Sequence, residues 1–269
     1  MHDRDTPRKT GTLYLMPSPL DFGCDALTPL DQVMPAHNLR LALALTHWVS
    51  ENAKTTRAFI KRVIELAPAL APGHAVPSLQ DRVITELPRV VHKKGDAQAL
   101  ANGFDAKPLL QAALQGHDMG LISEAGMPAI ADPGSSVVAA AQTLGIPVVP
   151  LVGPSALLLA LAASGLNGQN FAFVGYLPQD AALRGKRLQE LEALSRKTGQ
   201  TQLWIETPYR NAAMMQALIA HLQPATRVLV ASGLTLAQAS VKTRKAQDWK
   251  QQVNDWPQDQ PCVFGLGSP

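Results

Sequence analysis

Short apolar runs alternate with longer amphipathic stretches along most of the chain, and Gly- and Pro-rich loops separate them. That alternation predicts strands feeding helices, the rhythm of an α/β fold. Residues 12–16 (TLYLM) read as a strand stopped by Pro17-Ser18-Pro19. Residues 39–48 read as a helix running into a short strand near 46–49. Residues 54–65 form a helix with Phe59, Ile60 and Val63 on one face and Lys54, Arg57, Lys61 and Arg62 on the other. Residues 67–77 read as a Pro-rich loop, and 79–92 fit no single template.

The pattern sharpens after that. A short helix is expected over 108–115, a buried strand over 119–122 and a long loop over 123–133. The helix at 135–144 begins with Ser135 and Ser136, which can cap its free N–H groups. A strand at 146–150 and a second loop at 152–154 follow, with Ser155 as cap of the Ala/Leu-rich helix beyond. Strands are expected at 171–177, 201–205, 227–231 and 261–266. A charged helix covers 178–197, carrying Arg184, Lys186, Arg187, Arg196 and Lys197. Another covers 210–222, with Met214, Met215 and Leu218 facing in. Composition breaks just beyond the Ala/Leu-rich helix, and the boundary near Gly153 divides the chain into two α/β lobes, 11–153 and 154–269, each a sheet flanked by helices. Residues 1–10 are polar and read as a disordered tail.

At 269 residues and 46% hydrophobic content the chain can bury a sizeable core, which excludes a disordered class. The net charge of +3 permits an anionic partner without demanding one. Residues 1–10 lack the apolar stretch of a secretory signal. Residues 147–166 are apolar, but Pro147, Pro150, Gly153 and Pro154 break the first half. The remaining roughly ten helical residues are too few to span a bilayer, so no membrane partner is expected. Cys24 and Cys262 read as reduced thiols. Neither has a second Cys or His at ligand spacing, so no metal is expected.

The densest chemistry lies in residues 121–166, LISEAGMPAIADPGSSVVAAAQTLGIPVVPLVGPSALLLALAASGL. Each of its two loops ends an apolar run and precedes a helix. The spacing of Gly126, Gly134 and Gly153 excludes G-x-G-x-x-G, and no G-x-x-x-x-G-K-[ST] occurs in the chain. A backbone-lined small-molecule site of another kind is implied.

In order, GTLYLMPSP (11–19), ENAKTTRAFI (51–60), LISEAGMPAIADPG (121–134), VPLVGPSALLLALAASGL (149–166), FVGYLP (173–178) and ETPYR (206–210) resemble the tetrapyrrole methylase superfamily. They are most similar to its branch that methylates a cytidine 2′-hydroxyl of small-subunit ribosomal RNA. The resemblance implies a two-lobed homodimer with S-adenosylmethionine bound in the cleft between lobes. The donor contacts it implies are Pro17, Gly126, Met127, Pro128, Ser155, Ala156, Glu206, Thr207 and Pro208, much of them through the main chain.

Three places depart from the family. Where it usually follows T-P-I with Gly-Asn, this chain reads Pro19-Leu20-Asp21-Phe22. E-D-T-R appears as Glu51-Asn52-Ala53-Lys54, and A-R-E-L-T as Ala231-Ser232-Gly233-Leu234-Thr235.

Methyl transfer from a sulfonium is an in-line displacement that needs alignment, carboxylates or carbonyls near the sulfur, and a proton acceptor for a hydroxyl substrate. Glu124, Asp132 and Arg210 are the catalytic candidates, with Glu51 and Glu206 as further carboxylates. Each also has a structural role open to it. Asp132 can shape the turn before Pro133-Gly134, Glu124 can brace its loop, Glu51 can pair with Lys54, and Arg210 can pair with Glu206. His47, His92 and His117 are scattered and none is assigned as a base. Lys54, Arg57, Arg184, Lys186 and Arg187 are candidates for RNA phosphates, and Tyr176 and Tyr209 for base stacking. A tetrapyrrole or other small anionic metabolite is the alternative acceptor. A non-catalytic paralogue binding S-adenosylmethionine or RNA is the other alternative. A cytoplasmic location accompanies each reading.

Overall fold

The computed structural model describes residues 9–21, 24, 27–252 and 255–268, without the side chains of 89, 92–95 and 97. Residues 1–8 of the expected tail, Phe22 and the His92 side chain lie outside the described residues. The chain divides into two compact units, Met1–Pro154 and Ser155–Pro269.

The first unit is built on five parallel strands: β1 (Leu13–Met16), β2 (His47–Ser50), β3 (Val83–Glu86), β4 (Met119–Ile122) and β5 (Val148–Pro150). Their order is β3-β2-β4-β1-β5. Met119 of β4 lies opposite Leu13 on one side and His47 on the other. Both faces of the sheet are covered, which is why β4 is an unbroken apolar run. On one face Met16, Trp48, Ile122 and Leu151 pack with Leu39, Leu43, Phe59, Ile60 and Val63. On the other, Leu13, Val49 and Leu121 pack with Leu110, Val137, Ala141 and Ile146.

The helices of this unit are α1 (Leu30–Val33), α2 (Ala36–Ala44), α3 (Ala53–Glu65), α4 (Ala67–Leu70), α5 (Arg89–Ala101), α6 (Gln111–Leu114) and α7 (Ser135–Thr143). Helix α3 starts where Asn52 accepts from Lys54 N (2.9 Å) and Thr55 N (3.4 Å), and it buries Phe59, Ile60 and Val63. The expected loop at 67–77 begins instead with α4, entered by a Pro near its first turn. The ambiguous stretch at 79–92 resolves into β3 and the start of α5. Arg82 just before β3 is buried. Its guanidinium donates to the carbonyls of Ala42, Leu43 and Leu45, closing the C-terminal end of α2.

The serines of α7 do not cap it. Asp96 of α5 accepts from Gly134 N (2.7 Å), Ser135 N (3.1 Å) and Ser136 N (3.1 Å). An ionised carboxylate is the stronger acceptor for these donors, and it replaces the hydroxyls.

The second unit carries β6 (Phe171–Phe173), β7 (Thr201–Glu206), β8 (Arg227–Ser232), β9 (Ser240–Lys245) and β10 (Cys262–Gly267) in the order β6-β7-β10-β8-β9. Only β6 and β7 run parallel; the other pairs are antiparallel. Its helices are α8 (Ala156–Ser164), α9 (Ala181–Thr198), α10 (Asn211–His221) and α11 (Ala246–Trp249). Met214, Met215 and Leu218 of α10 pack with Leu188, Leu191, Trp204 and Phe264. Helix α9 is capped by Asp180, which accepts from Leu183 N (2.9 Å), and ends at Gly199 in the left-handed region. Strand β6 is shorter than the expected 171–177. Ser155 stands at the N-cap of α8 without a side-chain cap bond. Strand β9 was not expected: its polar edge is held by Asp255, which pairs with Lys242 and with Arg244 (2.6 Å). Cys262 is buried, and burial pushes its thiol up to about 12. No helix among the described residues is long and apolar enough to cross a membrane.

Gly120 faces the buried Trp48 ring, and a Cβ there would stand 2.5 Å from it. Gly120→Ala is expected to destabilise the protein by about 1–3 kcal/mol through overpacking, read from the urea midpoint.

Candidate functional site

The carboxyl edge of the first sheet gathers the loops singled out in the sequence. Pro17 and Ser18 follow β1, Glu51 follows β2, residues 123–134 follow β4, and 151–154 follow β5. In parallel α/β sheets this edge is where ligands bind. The loop after β4 is held from two sides. Ser18 N donates to Gly126 O (2.8 Å) and Gly126 N returns a bond to Ser18 O (3.0 Å). Ser18 Oγ donates to Ser123 O (2.5 Å), and Glu124 N donates to Glu51 Oε2 (3.0 Å).

These bonds hold a backbone that L-residues resist. Gly126, Ala129 and Ala131 have φ of 74°, 64° and 65°. The two alanines each carry a left-handed cost of about 1–2 kcal/mol. Met127 and Pro128 sit inside this fixed turn, so their peptide groups are placed more firmly than their side chains. Gly153 allows the next loop to lie against Pro17, since a Cβ there would meet Pro17 Cγ at 2.2 Å.

Three carboxyl groups meet at this edge. Asp132 is pushed up to about 7, first by burial and then by the charges of Glu51 and Glu124. A bound cation would relieve that repulsion. The donor set therefore fits a sulfonium-bearing ligand such as S-adenosylmethionine, whose cationic charge Asp132, Glu124 and Glu51 would face. His47 and His117 stand at the opposite, amino ends of β2 and β4, with rings stacked at 4.8 Å. Burial, and then the neighbouring His117, hold His47 below its ordinary value.

The other predicted residues belong to the second unit. Ala156 is the first residue of α8. Glu206 ends β7 almost fully buried, and Arg210 reaches it at 3.0 Å. Burial raises the Glu206 carboxyl, while Arg210 and then Arg184 pull it back down. Arg210 also donates to Leu177 O (2.7 Å), tying the turn after β7 to the loop after β6. These contacts all run through one guanidinium nitrogen, Nη2, and give Arg210 a bracing role between the two loops. Thr207 Oγ1 and Glu206 Oε2 are buried without a hydrogen-bond partner among the described residues.

The cation set also changes. Arg184 is buried and donates to Gln179 O (2.9 Å), which removes it from the candidates for a phosphate. Arg187 pairs with Glu190 at 3.2 Å. Arg62 is bound to Asp21 (3.0 Å) and Thr28 O (2.6 Å). Lys54, Arg57 and Lys186 remain exposed, as do Tyr176 (57%) and Tyr209 (79%).

Two of the three departures thus have structural work. Asp21 anchors Arg62, and Asn52 caps α3. Gly233 and Thr235, in the third, occupy the left-handed region at φ 60° and 73°. The sequence reading missed Asp96, whose partners lie some forty positions away with no local signal.

Residues 57–248 match the family of tetrapyrrole (corrin/porphyrin) methylases. The chain belongs to this family. Among relatives, "Ribosomal RNA small subunit methyltransferase I" of Mesorhizobium japonicum is 41% identical over 143 residues, 53% of this chain and 47% of the relative. The protein of that name from Mycobacterium bovis is 36% identical over 210 residues, 77% of this chain and 64% of the relative. The chain therefore spans only about half to two thirds of these relatives.

Among solved structures, the methyltransferase CobJ aligns with a TM-score of 0.54 at 16% identity, covering 96% of this chain and 95% of its own. Uroporphyrin-III C-methyl transferase from Thermus thermophilus, complexed with S-adenyl homocysteine, aligns at 0.51 and 16% identity, covering 96% and 98%. At that identity the likeness concerns the fold, and this tetrapyrrole methylase shares the α/β architecture of both.

Two outcomes follow from these geometries. Asp132 titrates near 7 in the folded chain and near 3.8 when unfolded, so the native state holds the extra proton between those values. Its contribution is fully present below about pH 4 and is lost as pH rises through 7. Asp132→Asn, always neutral, is expected to flatten that slope and to gain stability over the parent at pH 8, read from urea midpoints across pH. Arg210→Met leaves the buried Glu206 carboxyl with Arg184 as its remaining cationic neighbour and is expected to cost about 3 kcal/mol. Adding Glu206→Gln to that variant should recover most of the loss.

Proposed function

We propose that this chain is an S-adenosylmethionine-dependent methyltransferase whose acceptor is a ribose 2′-hydroxyl of ribosomal RNA. The observation that carries the reading is the left-handed loop of residues 123–134, pinned at the carboxyl ends of parallel strands beside Glu51, Glu124 and Asp132. Family membership and the names of its relatives support it. S-adenosylmethionine, when bound, supplies a methyl group already activated by its sulfonium. The chain's residues then have three tasks. Peptide groups of Pro17, Gly126, Met127 and Pro128 hold the donor. Glu51 and Glu124 balance its positive charge. Asp132, with a pKa near neutrality, takes up the hydroxyl proton on a carboxylate oxygen. Lys54, Arg57 and Lys186 meet RNA phosphates, and Tyr176 and Tyr209 offer stacking faces.

Two further properties accompany the reading. A homodimer is what the resemblance implies, and the exposed Leu158 (50%) and Leu159 on α8 suit contact with a second copy; two thiols read as reduced suit a cytoplasmic location. A small anionic acceptor is the second reading. It is favoured by the engagement of Arg184 with the Gln179 carbonyl and of Arg62 with Asp21, which withdraws two cations from those a polyanion could meet.

Calorimetry is expected to show S-adenosylmethionine and its demethylated product binding with micromolar affinity. Labelled methyl is then expected to enter RNA of small ribosomal subunits taken from cells lacking this gene. No binding of either ligand contradicts the methyltransferase reading. Label entering a metabolite extract but not RNA contradicts the ribose acceptor and establishes the second reading.

A further inference from the structure

The far end of the loop after β4 depends on a residue outside every motif. Asp96 lies in α5, is 8% exposed, and gives both oxygens to three consecutive amides, Gly134, Ser135 and Ser136. Within the loop, Pro133 O receives Ser123 Oγ and Ala129 N, each at 3.4 Å. Those are long bonds between neighbours of the same segment. The near end of the loop has Ser18 and Glu51 as outside anchors. At the far end Asp96 is the outside side chain that holds it among the described residues. Between the two ends lie Ala129 and Ala131 in the left-handed region, and Gly134 at φ 135°. A strained segment keeps its shape only while its surroundings over-determine it. Asp96 also occupies the free amides of a nine-residue helix, the place where an anionic ligand would otherwise be favoured. The start of α7 is therefore closed to an anion and given over to positioning.

We propose that Asp96 is a positioning residue for donor binding: by clamping the 134–136 amides it fixes the shape of the 126–132 turn whose peptide groups hold S-adenosylmethionine. This rests on the reading of that turn as the donor site, and its test separates the two.

The full-length chain is compared with Asp96→Asn, Asp96→Glu and a control, Asp118→Asn. Asp118 Oδ1 accepts from Thr12 N (2.8 Å) at the opposite edge of the same sheet, so the control removes the charge from a single, exposed carboxylate–amide bond away from the turn. Amide exchange by mass spectrometry is read over 126–136, together with affinity for S-adenosylhomocysteine, at a temperature where circular dichroism shows every variant folded. Asp96→Asn is expected to speed exchange across the turn and to weaken affinity about tenfold, the scale of one lost charge-assisted bond. Asp96→Glu should restore part of both, and Asp118→Asn should change neither beyond about twofold.

Equal effects from Asp96→Asn and Asp118→Asn would overturn the proposal, because they would reflect general loss of stability. So would unchanged exchange over 126–132 in Asp96→Asn. If the parent chain fails to bind S-adenosylhomocysteine, the donor-site reading falls. The exchange data then still decide whether Asp96 fixes the turn, and the assignment to donor binding is withdrawn.

Discussion

The loop after β4 adopts a conformation that its own residues disfavour, and the first unit is arranged so that it persists. Two alanines in the left-handed region within three positions are costly, and a loop free in solvent would relax. It does not relax because bonds from three other segments converge on it. Ser18 comes from the end of β1, Glu51 from the end of β2, and Asp96 from α5. The parallel order β3-β2-β4-β1-β5 makes this convergence possible, since β4 lies between β2 and β1 and all three release their chains at one edge. A fixed peptide surface at that edge is suited to a ligand recognised by main-chain groups, where side-chain identity can vary and shape cannot.

Electrostatics adds the second constraint. Asp132 titrates near 7 because burial and two neighbouring carboxylates oppose its charge. Such a site favours a cation and can exchange a proton near neutral pH. In the second unit burial again raises a carboxyl, but two guanidinium groups offset part of the rise. Glu206 is buried but faces Arg210 and Arg184, and the group serves to join loops. The loop acid Asp132 and the strand-end acid Glu206 therefore have different work, decided by whether a guanidinium stands beside them.

Much of this was legible from residue order. Residues 119–122 read as a buried strand because Met119, Leu121 and Ile122 form a short apolar run between polar turns, and β4 has those bounds. The inward face of α3 followed from the spacing of Phe59, Ile60 and Val63, and that of α10 from Met214, Met215 and Leu218. The pairing of Glu206 with Arg210 was visible as a four-residue spacing, though not that Arg210 would also reach the Leu177 carbonyl. Other features could not be read locally. Strand β9 is a polar edge strand, SVKTRK, whose pattern depends on Asp255 and Trp249 from later in the chain. Arg184 has the spacing of a surface cation, yet it is buried and donates to the carbonyls of residues 178 and 179. Asp96 caps a helix begun by two serines, and nothing near it in sequence announces that partnership.

The most direct test of the central claim is a backbone amide NMR titration with S-adenosylmethionine. The account predicts that the largest shifts fall on Ser18 and on the amides of residues 124–134, with Ala129 and Ala131 keeping their left-handed shifts. Saturable binding that leaves those amides unmoved, with its shifts on another part of the chain, would contradict it.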